Sequence, residues 1–99
     1  MITVRQAVRS LKRKIKDNQD YIVIEEIVFG VYKAMMTFTR YHSLFDNGTI
    51  NIYMEDETVH GHYIMPLEMF NDCTYEDIEK VCQCILTYCL TEKEERVSW

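Results

Sequence analysis

Proline occurs once in this chain, at Pro66, and glycine three times, at Gly30, Gly48 and Gly61. So few breakers exclude collagen-like, proline-rich and Gly/Ser-linker architectures. Three scattered glycines also cannot build a phosphate-cradling loop. Long apolar runs are missing as well. Stretches such as Tyr21-Ile22-Val23-Ile24 fall far short of the roughly 18–20 residues that cross a bilayer. Met1-Ile2-Thr3-Val4-Arg5 has no apolar core or small-residue cleavage site, so no secretory signal is expected. These absences point to a soluble protein of the cytoplasm, with no membrane partner.

Cysteine is present four times, at Cys73, Cys82, Cys84 and Cys89, but never as Cys-x-x-Cys. The spacings match no common zinc module. Three of the four fall inside one expected helix, where neighbouring thiols cannot reach each other in disulfide geometry. Free thiols in a reducing compartment are the expectation.

Negative charge is absent from residues 1–16, which carry Arg5, Arg9, Lys12, Arg13, Lys14 and Lys16. The other 83 residues hold five bases and sixteen acids, giving a net charge of −5 for the whole. The asymmetry says more about partners than the total does.

At 99 residues, 47% of them hydrophobic and twelve aromatic, the chain has the composition of a single globular domain. The Asp46-Asn47-Gly48 signal lies between two alternating runs. Asn-Gly tolerates the positive φ values of a tight turn, so residues 35–54 are expected to form one central β-hairpin. Ahead of it, residues 3–17 place Val4, Ala7, Val8, Leu11 and Ile15 at helical spacing, with Thr3 available as a cap. Residues 20–28 are rich in β-branched and aromatic types, and the doubled Glu25-Glu26 breaks their alternation.

Residues 31–45 fit two patterns. Val31, Ala34, Met35, Phe38, Tyr41 and Phe45 would make a helical stripe, while Thr37, Phe38, Thr39 and Tyr41 favour a strand. The strand is the reading adopted. Thr58 to Met65 form the last strand, stopped by Pro66. Leu67 to Cys73 reads as a loop or one helical turn. Thr74-Tyr75-Glu76-Asp77 is a capping box that opens a helix to about Leu90, followed by a fraying tail. The expected fold is a two-layer α+β domain. Its antiparallel sheet has four strands, or three if residues 31–45 are helical, flanked by an N-terminal and a C-terminal helix.

Catalytic candidates are few, and neither a metal nor a cofactor is expected. His60-Gly61-His62 puts two imidazoles on one strand face, with His42 as a third, but nothing in the spacing supplies a converging carboxylate or thiolate. Cys73, just before a helix start, is the one thiol placed for activation. Glu25-Glu26 and Glu55-Asp56-Glu57 could serve acid–base chemistry or bind a divalent ion. Acid runs in turns are ordinarily solvated, however, and so short a chain barely supplies a cleft. A non-enzymatic protein is the expectation.

Two binding surfaces stand out instead. Glu55, Asp56, Glu57, Glu68, Asp72, Glu76, Asp77 and Glu79 could gather into an acidic patch, anchored by Tyr53 and Tyr75, that meets the basic surface of a larger protein. Alternatively Arg5, Arg9, Lys12, Arg13 and Lys16 line one helix face, which could follow the phosphates of a nucleic acid. Homodimerisation through exposed strand edges is a third expectation. In its small size, acidity and lack of catalytic motifs, the chain resembles the inhibitors that phages and mobile elements encode against host defence nucleases, anti-CRISPR proteins among them. That resemblance implies a partner that handles nucleic acid and a setting in the host cytoplasm.

Overall fold

A computed structural model describes residues 1–17, 20–55 and 60–97, with the side chains of all but 21–25, 55 and 91–97. In chain order the elements are β1 (Ile2–Thr3), α1 (Val4–Lys16), β2 (Tyr21–Phe29), β3 (Tyr32–Thr39), β4 (Thr49–Glu55), β5 (His60–Pro66), α2 (Leu67–Asp72) and α3 (Tyr75–Val97). The α+β class holds. The sheet, however, is mixed and five-stranded in the order β1-β2-β3-β4-β5, not a four-stranded antiparallel one.

The added strand is β1, which pairs parallel to β2 through Ile2↔Ile27 and Thr3↔Val28. Two residues carry no periodicity for a sequence reading to detect. A parallel pair needs a crossover of a dozen or more residues, and α1 supplies it. Thr3 ends β1 and caps α1 in one step, with a capping box in which Gln6 returns a side-chain bond to the Thr3 N–H at 3.0 Å. The stripe Val4, Ala7, Val8, Leu11 and Ile15 is buried as expected.

The strand reading of residues 31–45 is correct as far as Thr39. Ala34, Met36 and Phe38 are buried in alternation, the signature of a strand with one covered face. The central turn needs correction, because β3 ends at Thr39 and β4 begins at Thr49, so residues 40–48 form a structured loop and not a tight hairpin turn. Within it Phe45 to Gly48 is a β-turn closed by the Gly48 N–H on the Phe45 carbonyl at 3.1 Å. Asn47 does not take positive φ; Gly48 does, at 128°. A Cβ on Gly48 would stand 2.5 Å from the Phe38 ring, so glycine serves here for close approach to the core. The tight reversal falls at Gly30 and Val31, between the paired Phe29 and Tyr32, with Gly30 at φ 62° in the first loop position, as a II′ turn requires.

The loop is tied down by short-range polar bonds. Thr49 is buried and joins the Ser43 hydroxyl, and it accepts the Leu44 N–H at 3.1 Å. Asp20 accepts from the Tyr41 hydroxyl at 3.1 Å and pairs with Arg40 at 3.3 Å. The break expected at Glu25-Glu26 lies earlier: the register shifts between Ile22 and Glu25, while Glu25 and Glu26 pair regularly with Met36 and Met35. The acidic link after β4 falls partly on residues 56–59, outside the described residues.

Among the described residues three helices, not two, cover one sheet face. Leu67 to Asp72, expected as a loop or single turn, is the short α2, which buries Leu67 and Phe70. Full burial of a side chain such as Phe70 contributes about 1.5–3 kcal/mol. Helix α3 does not stop at Leu90 or give way to a frayed tail; it runs to Val97. Glu, Lys and Arg dominate that stretch and are good helix formers. Its apolar stripe Ile78, Cys82, Ile85, Leu86 and Cys89 is buried.

The closest seat in this packing is Gly61. A Cβ there would clash with Cys89 Sγ and stand 2.8 Å from Ile85 Cγ2, so α3 rests directly on the backbone of β5. Gly61→Ala is therefore expected to destabilise the fold by about 1–3 kcal/mol through overpacking. The measurement is chemical denaturation, and Cys89→Ala added to Gly61→Ala should recover part of the loss. If the single variant unfolds at the wild-type midpoint, the seat is not tight.

Candidate functional site

The alternation of β3, β4 and β5 sends one set of side chains under the helices and the other to a face that none of the described helices covers. That open face carries a row running across four strands. Glu26 pairs with Met35, Met35 with Tyr53, and Tyr53 with His62. The Tyr53 and His62 rings stack with centroids 4.3 Å apart and planes 11° from parallel, and His62 shares a 3.0 Å hydrogen bond with Asn51. Val28 and Ile64 flank the row and are 43% and 38% exposed. Lys33, Glu26 and His60, also exposed, make a polar border. A mixed apolar and aromatic patch with a polar rim is the anatomy of a contact surface.

Of the acids expected to form one patch, Glu68, Asp72, Glu76, Asp77 and Glu79 fall on α2 and the start of α3, and Glu55 ends β4. Tyr53 lies on the open sheet face, while Tyr75 is half-buried at the start of α3, with the Arg5 guanidinium 5.1 Å from its ring centre. Glu68 accepts from the Asn47 side chain, a bond that holds its carboxyl below the usual range. Glu76 faces Arg5 at 3.7 Å. Asp77 closes the capping box, accepting from the Thr74 N–H at 2.9 Å while its own N–H bonds the Thr74 hydroxyl at 3.2 Å. Asp72 and Glu79 are exposed. The Glu55 backbone ends β4 opposite His60, and Asp56 and Glu57 lie outside the described residues.

The basic face of α1 is divided too. Arg5 turns to Glu76 and Tyr75. Lys12 donates to the carbonyls of Asn71 at 3.3 Å and Cys73 at 3.0 Å, capping the end of α2, and lies 5.4 Å from the Phe70 ring centre. Arg9, Arg13 and Lys16 are exposed. The two opposite charge sets thus meet along the seam between α1 and the α2–α3 corner. Exposed pairs of this kind contribute little individually.

The chemistry candidates are not brought together. His60 and His62 lie on β5, whereas His42 belongs to the 40–48 loop, at φ 53°. Among the described residues, no three His, Cys, Asp or Glu side chains are grouped to hold a metal. The Cys73 thiol is pushed up by burial and by the Asp77 carboxylate, against the opposing pull of Lys12. Burial, with Glu79 nearby, drives Cys82 to about 11. Both shifts disfavour the reactive thiolate. Among the described residues, no helix is long and apolar enough to cross a membrane.

Compared with known proteins, the chain matches no family model, no curated protein and no solved structure. The open-face row was not anticipated as a unit. Its signal was present in the mixed character of Met35, Thr37, Asn51, Tyr53, His62 and Ile64, the residues left over once the core positions are removed.

The capping box sets an acid response. Hydrogen bonds from the Thr74 N–H and hydroxyl hold the Asp77 carboxyl below its ordinary 3.8. A carboxylate depressed in the folded state stabilises above its unfolded pKa, and that contribution is lost as pH falls through the folded value. Asp77→Asn should therefore make urea midpoints fall less steeply below about pH 4 than in the wild type. An unchanged slope would remove Asp77 from the acid response.

Proposed function

We propose that the chain is a non-enzymatic protein-binding module, most concretely a small acidic inhibitor that occupies a basic surface on a larger, nucleic-acid-handling host protein. The observation that carries this reading is the uncovered sheet face, with Met35, Tyr53 and His62 at its centre and Val28 and Ile64 exposed beside them. Tyrosine and methionine are favoured at the centres of interfaces because they bury large surfaces. The net charge of −5 and the Glu55-Asp56-Glu57 link, which joins two strands of that same sheet, give such a module the sign needed to approach a basic groove. The size and charge that liken the chain to phage anti-defence inhibitors fit a role in the host cytoplasm.

The rival reading uses Arg9, Lys12 and Arg13 on nucleic acid. It is weakened by the use of Lys12 to cap α2. The two are separated by affinity capture from host lysate, followed by reconstitution with the captured protein. The inhibitor reading expects a nucleic-acid-binding partner that is released by its own DNA or RNA. Val28→Asp, or joint reversal of Glu55, Asp56 and Glu57 to Lys, should weaken the complex about tenfold or more. If the isolated chain instead retards DNA or RNA in a salt-sensitive way that Arg9→Glu and Arg13→Glu abolish, the inhibitor reading fails.

A further inference from the structure

Strand β5 ends the sheet order, and its hydrogen-bonding parity follows from one bond. The Leu67 N–H donates to the Gly48 carbonyl at 3.1 Å, one step beyond the Thr49↔Pro66 pair. Bonded and non-bonded pairs alternate in an antiparallel ladder. Gly61, Tyr63 and Met65 therefore bond to β4, while the main chains of His60, His62 and Ile64 point to the outer edge. Three observations agree. Pro66 falls in the outward set, where a missing N–H is tolerated. Tyr53 and His62 form a non-bonded pair, the closer kind, and their rings stack. The His60 carbonyl, also outward, receives the Cys89 thiol at 3.1 Å. The N–H and C=O groups of His62 and Ile64 remain in line along the edge.

Beside that edge, between β5 and α3, lies a groove of about 380 Å³ lined by Tyr63, Val81, Cys84, Ile85 and Tyr88, with Lys80 and His62. Its volume is within the range of about 300–1,000 Å³ seen for ligand sites. The wall is apolar apart from Lys80 and His62, so its permanent charge is positive in a chain of net −5.

We infer that β5 and this groove receive an extended peptide from a partner protein. The peptide adds a sixth strand, sets a large apolar side chain between Tyr63, Val81 and Ile85, and presents a neighbouring carboxylate to Lys80. Strand addition supplies the main-chain bonds, and the groove supplies selectivity for alternate side chains. Charge complementarity decides against a second copy as the occupant. Residues 60–66 contain no acid, so pairing β5 with itself would bring no carboxylate from that strand to Lys80. The inference concerns the strand edge and groove, which meet the open face at His62 and Ile64, and stands apart from the identity of any inhibited host protein.

The test begins with selection of short random displayed peptides on the immobilised full chain, then synthesis of the enriched sequence. The expected consensus is a bulky apolar residue with an Asp or Glu nearby. Its binding, read by fluorescence polarisation, should weaken about tenfold, the loss of roughly one hydrogen bond, with Ile64→Pro or Lys80→Glu. Methylating alternate peptide amides tests the same bonds without altering the protein. Bound peptide should also shield Cys84, exposed when free, from iodoacetamide. No enriched sequence, binding indifferent to amide methylation, or sedimentation as a dimer with the Ile64 amide already protected would each overturn the proposal.

Discussion

The seat of α3 on Gly61 is the constraint on which the arrangement of the second half of the chain depends. With no side chain at Gly61, Ile85 and Cys89 approach the strand backbone itself. The Cys89 thiol then reaches the His60 carbonyl. This close approach puts the stripe Ile78, Cys82, Ile85 and Leu86 over the sheet core. It also leaves Val81, Cys84 and Tyr88 one helical step to the side, where they line the groove along β5. One missing methyl group therefore positions both the core and the groove.

The first half depends on a different economy. Thr3 closes the short parallel strand and caps α1 at once. The helix returns the chain so that β2 can pair beside its own starting point. Its bases are then used from within, Arg5 at the head of α3 and Lys12 at the end of α2. The charge asymmetry so marked along the chain is thus partly resolved by folding, because the acidic α2–α3 corner packs against the basic helix. Arg9, Arg13 and Lys16 on α1, and Asp72 and Glu79 at the α2–α3 corner, are exposed as well.

With the described helices all on one side, two features carry the binding proposals. One is the sheet face centred on Met35, Tyr53 and His62. The other is the outer edge of β5. They share His62, whose ring stacks on the open face while its main chain points outward along the edge.

Local patterns were legible from the residues alone. The α1 stripe, the Thr74 capping box and the α+β class each depend on neighbours within a few positions, where side-chain period and capping chemistry act. The extent of the sheet was not legible. Strand β1 is too short to show a period and exists only because Ile27 and Val28 offer it an edge. The Asp46-Asn47-Gly48 signal correctly marked a turn. Which strands it would join, and how tightly, was decided by Phe38 packing beneath Gly48, by Thr49 holding the loop and by Asn47 reaching Glu68. The continuation of α3 past Leu90 followed helix propensity over the expectation that a charged end frays. The partners of the charged residues also needed the fold, since charge sign is written in the chain but the distance between charges is set only by packing.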